Sequence, residues 1–306
     1  TYPGGCDIGM RPIDLHLTGL RALGVRITEE GGLIECDGSQ MRGGLVHLDY
    51  PSVGATENVM MAAVLTPGIT EIHNAACEPE IIDLERFINA MGGRVSGAGT
   101  QTVVIHGVRR LHGIHFRPMS DRIVAGTLLA AAAATGGEIT LLGASPGDMT
   151  AITAKLQEMG CRMDIHPDEM TLIAPRRLRA FAHLQTLPHP GFPTDMQAQM
   201  FALAAIAQGS AVIQENVFEN RFTHVPDFRR MGARIQVNDR IAVVRGVRRL
   251  HGARVTAHDL RGGAAMVIAG LAAEGVTEIE QIHLIDRGYE GFEDQLSALG
   301  AKIERV

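Results

Sequence analysis

The sequence predicts a two-domain inverse α/β fold assembled from one repeated β-α-β-α-β-β unit, and two repetitions in the chain carry that reading. The first is short and recurs five times: Leu23-Gly24-Val25-Arg26-Ile27, Met91-Gly92-Gly93-Arg94-Val95, Met159-Gly160-Cys161-Arg162-Met163, Met231-Gly232-Ala233-Arg234-Ile235 and Leu299-Gly300-Ala301-Lys302-Ile303. Its glycines fall 68, 68, 72 and 68 residues apart. A fixed period of that length marks one supersecondary unit stacked repeatedly. Each copy closes an amphipathic helix and opens a strand. The second repetition is Gly107-Val108-Arg109-Arg110-Leu111-His112-Gly113, which returns about two units later as Gly246-Val247-Arg248-Arg249-Leu250-His251-Gly252. It sets the domain level and places a boundary near residues 115–120.

In chain order, Arg11 to about Gly38 supplies only the second half of a unit. Leu15, Leu17, Leu20 and Leu23 give that half unit an apolar face, which half a unit cannot bury alone. The expected neighbour is a companion N-terminal fragment or an upstream segment. This suits a chain that opens on Thr1 without an initiator Met and reads as processed, cleaved or engineered. Four complete units are expected next, beginning near Ser52, Asp121, Pro193 and Asp259. Each opens with an Ala-rich, Gly-terminated helix: Ser52–Gly68, Asp121–Gly137, Pro193–Gly209 and Asp259–Gly275. A short apolar strand follows, as in Thr70-Glu71-Ile72-His73 and Thr277-Glu278-Ile279-Glu280. A second helix comes next; in Met149–Met159 the apolar positions Ile152, Leu156 and Met159 keep helical spacing. A hairpin closes the unit, as in Arg94–Ser96 and Val103–His106 around Gly97-Ala98-Gly99. With the boundary at Phe116-Arg117-Pro118, residues 1–118 form a partial first domain and residues 119–306 a second domain of three units.

Composition bounds the function. At 306 residues and 45% hydrophobic content, the chain can bury two ordinary cores. The absence of Trp and the 4% aromatic content suit Ala/Gly-rich helices packed closely on sheets. A net charge of −6 argues against a general nucleic-acid binder, while arginines placed singly in loops suit small anionic ligands. No run of 18 apolar residues spans a membrane, and the Leu128–Thr135 stretch belongs inside a domain. No charged-then-apolar leader stands at Thr1, so a soluble, cytoplasmic protein is expected. Cys6, Cys36, Cys77 and Cys161 lie far apart, without a C-x-x-C pair, and no H-E-x-x-H occurs. Neither a metal site nor a disulfide framework is expected. Cys36, Cys77 and Cys161 read as small buried hydrophobes.

Cys6 reads differently. The segment Thr1-Tyr2-Pro3-Gly4-Gly5-Cys6-Asp7-Ile8-Gly9-Met10-Arg11-Pro12 is a Gly/Pro-rich surface loop. Its thiol is either incidental to a turn or, with a cation five residues on, a reactive or proton-donating group. Asp195 follows Pro193 at a helix start, where a carboxylate is favoured by the macrodipole whatever its function. Ser52-Val53-Gly54 opens a helix and reads equally as a plain cap or as free N–H groups suited to a diphosphate. Taken singly, each arginine is an ordinary solvated or salt-bridged group. Local chemistry leaves all of these open.

Longer motifs narrow them. Pro3-Gly4-Gly5-Cys6, Ile8-Gly9 and Arg11-Pro12-Ile13-Asp14-Leu15-His16 together resemble the active-site loop of the UDP-N-acetylglucosamine 1-carboxyvinyltransferase family, enolpyruvyl transferases of peptidoglycan precursor synthesis. Ser52-Val53-Gly54-Ala55-Thr56, Glu78-Pro79-Glu80-Ile81, the run from His189 to Gln199, Glu219-Asn220-Arg221-Phe222 and Ile285-Asp286-Arg287-Gly288-Tyr289-Glu290 match as well, in family order. The resemblance covers essentially the whole chain, and the run around Asp195 is its most specific part. The family's two domains of three such units agree with the repeats counted above.

The resemblance implies substrates and roles. Cys6 would donate a proton to phosphoenolpyruvate, or add to it, and would be alkylated by fosfomycin. Asp195 would take the proton from the sugar 3-hydroxyl. Arg11 and Arg287 would grip phosphoenolpyruvate, with Arg221 and Arg261 nearby in the cleft between the domains; a phosphate plus a carboxylate calls for several guanidinium forks. Arg11, Pro12, Ile13, Asp14 and Leu15, with Ser52, Val53, Gly54 and Val217, would cradle the uridine and diphosphate of UDP-N-acetylglucosamine. No metal or other cofactor is implied. The family's upstream Lys-Asn pair and nucleotide-sugar arginine have no counterpart in this sequence, so the chain alone is expected to be inactive or weakly active. Tyr50 stands where many relatives carry Lys, and Asp7 puts a negative charge beside Cys6 that raises a thiol pKa. The alternatives are the sister transferase that makes enolpyruvylshikimate phosphate, and a non-catalytic fragment that binds a nucleotide sugar or a partner chain.

Overall fold

The computed structural model describes residues 13–306, which divide into two compact units. One comprises residues 13–119 with Pro188–Pro190, the other residues 120–187 with Gly191–Val306.

The first unit begins with α1 (Asp14–Ala22) and the hairpin β1 (Arg26–Glu30) and β2 (Leu33–Asp37). The full unit that follows runs β3 (Leu45–His47), α2 (Val53–Ala63), β4 (Ile69–His73), α3 (Pro79–Ala90), β5 (Val95–Ser96) and β6 (Thr102–His106). Its sheet has the order β3-β4-β6-β5: β3 and β4 are parallel, with His47 opposite His73, and β6 runs antiparallel to both β4 and β5. The parallel pair needs a crossover, which α2 supplies. Alternate residues Thr70 and Ile72, and Val103 and Ile105, point into a core with Leu23, Val46, Val59 and Met60. The sequence leaves α1 in need of a neighbour, and here α2 provides it: Leu17 and Leu23 are buried.

The second unit contains α4 (Arg122–Thr135), β7 (Glu138–Leu142), α5 (Thr150–Glu158), β8 (Arg162–His166) and β9 (Glu169–Ile173). Next come β10 (His183–Gln185), α6 (Gln197–Ile206), β11 (Ser210–Gln214), α7 (Val225–Arg230), β12 (Arg234–Asn238) and β13 (Ile241–Arg245). The last stretch holds β14 (Leu250–His251), β15 (Arg254–Thr256), α8 (Leu260–Leu271), β16 (Ala273–Glu274), β17 (Glu278–Glu280), α9 (His283–Asp286) and α10 (Phe292–Ala298). The β10-β11-β13-β12 sheet repeats the order and directions of the first unit's sheet. Inside, α4, α6 and α8 pack on one another. Residues 197–205 of α6 and 262–269 of α8 are buried throughout. A helix apolar on every side belongs in the interior, and the Ala and Gly of these three let their backbones approach.

The five-fold motif has one physical cause. Gly24, Gly92, Gly160, Gly232 and Gly300 adopt φ of +85°, +94°, +98°, +93° and +99°, a region that costs glycine nothing. At each, two backbone bonds close the helix: Gly24 N–H donates to the Arg21 carbonyl and Val25 N–H to that of Leu20, and equivalent pairs recur at the other four. This is the Schellman ending, repeated five times.

Three expectations need correction. The helices α2, α4, α6 and α8 stop short of the predicted glycines at 68, 137, 209 and 275; α2 ends ahead of Pro67, which disfavours helix at the residue before it. The unit at Asp121 lacks a first strand, leaving a three-stranded sheet β7-β9-β8. Residues 301–306, where a strand is expected after Gly300, form no strand. The cysteines also differ from expectation. Cys161 is buried, Cys77 half-buried and Cys36 exposed, the last because β2 pairs only with β1 and most of its residues face solvent.

Candidate active site

In the second unit the chain turns at Thr194–Met196 before entering α6, and Asp195 projects from that turn. Two arginines from distant segments meet it. Arg221, in the segment between β11 and α7, donates from Nη2 to Asp195 Oδ1 at 2.8 Å. Arg261, in the first turn of α8, donates from Nε to Oδ2 at 3.1 Å, with its Nη2 3.0 Å from the same oxygen.

Each guanidinium is fixed from behind. Arg221 lies over the Phe218 ring, 5.2 Å from its centroid. Arg261 lies over Tyr289 and donates from Nη1 to the Tyr289 hydroxyl at 3.2 Å. Tyr289 is buried, and its hydroxyl also meets Thr127 Oγ1 at 3.0 Å and accepts from Gln199 Nε2 at 3.3 Å. Asp259 caps α8, accepting the Arg261 and Gly262 N–H groups at 3.0 Å each, so the arginine's backbone is also tied.

The Arg221 side chain is 4% exposed and that of Arg261 13%, but Asp195 keeps 39%. The carboxylate is therefore held from one side and open on the other. Burial alone would raise its pKa; Arg261 and then Arg221 outweigh that and hold it below the usual carboxylate range. One carboxylate against two guanidinium groups leaves the cluster with an excess of positive charge, which suits an anionic ligand.

Val217 belongs to the same segment as Arg221 and is half-buried, with its N–H donated to Glu215 Oε1 at 2.8 Å. Arg287 follows α9, exposed, two residues before Tyr289. In the first unit, Ser52 caps α2 by accepting the Ala55 N–H at 3.3 Å, and Val53 and Gly54 form the helix's first turn. Ile13, Asp14 and Leu15 lie at the start of α1. His16 links the two helix starts. Its ring lies against Gly54, where an added Cβ would sit 3.2 Å from Cε1, and its Nδ1 is 3.1 Å from Asn58 Nδ2. Burial lowers the His16 pKa, against the opposing pull of Asp14.

Cys6, Arg11 and Pro12 lie outside the described residues. Among the described residues no group of three or more His, Cys, Asp or Glu side chains is arranged to hold a metal ion. The sequence reading did not single out Thr127 or Glu215, both of which support the cluster. Thr127 lies in the apolar helix α4, between Gly126 and Leu128, and Glu215 directly follows the strand β11; a polar residue in such a setting is the signal the sequence offers.

Comparisons with known proteins show the family and the fold. Residues 1–296 match the family model described as EPSP synthase (3-phosphoshikimate 1-carboxyvinyltransferase). UDP-N-acetylglucosamine 1-carboxyvinyltransferase 2 of Caldanaerobacter subterraneus is 52% identical over 306 residues, covering 100% of this chain and 73% of the relative. UDP-N-acetylglucosamine 1-carboxyvinyltransferase 1 of Symbiobacterium thermophilum is 55% identical over 307 residues, covering 100% of this chain and 69% of the relative. Among solved structures, the enolpyruvyl transferase NikO from Streptomyces tendae superposes with a TM-score of 0.85 at 26% identity, over 97% of this chain and 73% of that one. EPSP synthase from Acinetobacter baumannii, with a TM-score of 0.71 at 21% identity over 96% of this chain and 72% of that one, shares the fold. At the 52% and 55% identity of the two carboxyvinyltransferases, over the whole of this chain and more than two thirds of each relative, the likenesses show that the chain belongs to the UDP-N-acetylglucosamine 1-carboxyvinyltransferase family of enolpyruvyl transferases.

Proposed function

We propose that this chain carries the chemistry of enolpyruvyl transfer from phosphoenolpyruvate to the 3-hydroxyl of UDP-N-acetylglucosamine, releasing phosphate, as a step of peptidoglycan precursor synthesis. The observation that carries the reading is Asp195 between Arg221 and Arg261, within a chain 50–55% identical to transferases of that name. The hydroxyl oxygen bonds to C2 of phosphoenolpyruvate while C3 takes a proton, giving a tetrahedral ketal. Loss of a C3 proton and of phosphate then restores the enol ether. The first step needs a base at the hydroxyl, an acid at C3 and a cationic clamp on phosphate and carboxylate.

Asp195 is the base in this reading, Cys6 the acid and the target of fosfomycin. Arg11, Arg221, Arg261 and Arg287 form the clamp. Ile13–Leu15 with Arg11 and Pro12, Ser52–Gly54 and Val217 hold the nucleotide sugar, the first turn of α2 offering N–H groups to the diphosphate. The contacts of Asp195 with Arg221 and Arg261 add a further step. With both arginines on Asp195 the carboxylate is a weak base; an incoming anion that engages them draws their charge away and raises its basicity where the hydroxyl arrives. No described helix is long and apolar enough to cross a membrane, and a cytoplasmic location fits the nucleotide substrate.

The test is phosphate release with each acceptor, for the chain alone and with an N-terminal companion fragment from a relative. With the companion fragment, turnover is expected with UDP-N-acetylglucosamine and not with shikimate 3-phosphate; the chain alone is expected to turn over weakly or not at all. Asp195→Asn is expected to lower kcat by ~100–10,000-fold, the range for a lost general base. Turnover of shikimate phosphate in preference to the nucleotide sugar would overturn the assignment.

A further inference from the structure

Glu215 follows β11 and is 1% exposed, and its hydrogen-bond donors among the described residues are all neutral. Four donors hold it. Its Oε1 accepts from Thr186 Oγ1 at 2.8 Å, from Val217 N–H at 2.8 Å and from Phe218 N–H at 3.1 Å; its Oε2 accepts from Thr194 Oγ1 at 3.0 Å. The Thr186 hydroxyl in turn accepts the Asn216 N–H at 2.9 Å. Burying a carboxylate is costly unless it is fully hydrogen-bonded, so a glutamate kept here with four donors has a geometric task. The donors show which. Thr194 is the residue before Asp195, and Val217 and Phe218 lead to Arg221, whose guanidinium rests over Phe218.

We infer that Glu215 is the positioning residue of the active site: it ties the turn bearing Asp195 to the segment bearing Arg221 and Val217, and so sets the Asp195–Arg221 contact. The inference rests on the functional reading above for its kinetic consequence, but its geometric content stands apart. Charged groups face Asp195 from two segments, Arg261 on α8 and Arg221 on the loop; only the second hangs on Glu215. Loosening it should leave Arg261 in place and free Arg221, so Asp195 loses one of the two charges that hold its pKa down.

The experiment compares Glu215→Ala, Glu215→Gln and Thr194→Val. Crystal structures of the variants should show the Asp195–Arg221 separation lengthened from 2.8 Å beyond hydrogen-bond reach in Glu215→Ala. Per folded molecule, kcat should fall ~100-fold in Glu215→Ala, the scale for a displacement of about 1 Å at a catalytic group. Glu215→Gln, which keeps the three bonds to Oε1, should lose no more than ~10-fold, about one hydrogen bond. The acid limb of the kcat/KM–pH profile should move to higher pH in Glu215→Ala and in Thr194→Val, a shift that a smaller folded fraction cannot produce. If Glu215→Ala does not fold, Thr194→Val, which deletes one hydroxyl, decides the matter by the same two readouts. Folded variants that keep the 2.8 Å contact and the wild-type acid limb overturn the inference while Asp195→Asn is inactive. Full turnover by Asp195→Asn would instead overturn the role of Asp195 and leave the crystallographic separation to decide the role of Glu215.

Discussion

His224 is 2% exposed and its ring sits among Phe201, Phe222 and Phe228, with no hydrogen-bond partner for either nitrogen among the described residues. Burial pushes its pKa down to about 4; Asp259 and Asp227 oppose that, and Arg221 and His258 reinforce it. The folded value thus lies below the ordinary 6.5, so between the two the unfolded chain binds more protons. The stability tied to a neutral His224 is present above pH ~6.5 and is lost as pH falls toward ~4. His224→Leu is expected to flatten the drop in urea midpoint between pH 7 and pH 5; an equal drop in wild type and variant would show that another group is responsible. Buried polar groups of this kind mark the limit of reading a site from sequence. Asp195 and Arg221 stand in recognisable runs, and Arg261 is implied by the family resemblance. Glu215 and His224 have no such mark, because their importance comes from Thr186 and Thr194, or from three phenylalanines, brought to them by the fold.

Gly19 lies inside α1, where glycine costs about 0.5–1 kcal/mol relative to alanine, so packing must explain it. A methyl group built there would run into Cγ2 of Val59 on α2, with Val46 Cγ1 behind it. The glycine therefore allows α1 and α2 to approach, which in turn brings His16 against Gly54. Gly19→Ala is expected to destabilise the chain by ~1–3 kcal/mol, the range for overpacking, despite alanine's better helix propensity. Adding Val59→Ala should recover part of that loss in urea unfolding; no recovery would place the strain elsewhere. The five Schellman endings are legible because their determinant is local, a glycine demanded at one position and repeated five times; the ends of α2, α4, α6 and α8, which stop short of the predicted glycines, are not. Strands are also less legible. The missing first strand at Asp121 turns on whether a partner from elsewhere in the chain is present, which no local pattern reports.

The repeated Gly-Val-Arg-Arg-Leu-His-Gly segment shows the same device used once in each compact unit. Gly107 N–H donates to the Gly68 carbonyl and Val108 N–H to that of Val64; Gly246 and Val247 do the same to Gly209 and Ala205. His112 and His251 then cover Gly92 and Gly232, the helix-ending glycines. The segment thus fastens the end of each hairpin to the central helix and to the Schellman turn of its own unit. The first glycine tolerates no side chain: a Cβ at Gly107 would overlap the Thr66 carbonyl oxygen, and one at Gly246 that of Ala207. Backbone cannot yield as a flexible side chain does. Each unit also encloses its own apolar core, one built around Val46, Val59, Ile72 and Ile105, the other around Leu129, Phe201, Phe228 and Ile268. Damage to one fastening should therefore stay within its unit. Gly107→Ala is expected to lower amide hydrogen-exchange protection in β3–β6 and leave β10–β13 protected, and Gly246→Ala to do the reverse. Protection lost equally in both sheets from either substitution would mean that the two cores unfold as one cooperative body, and that the duplicated segment does not mark two separable folding units.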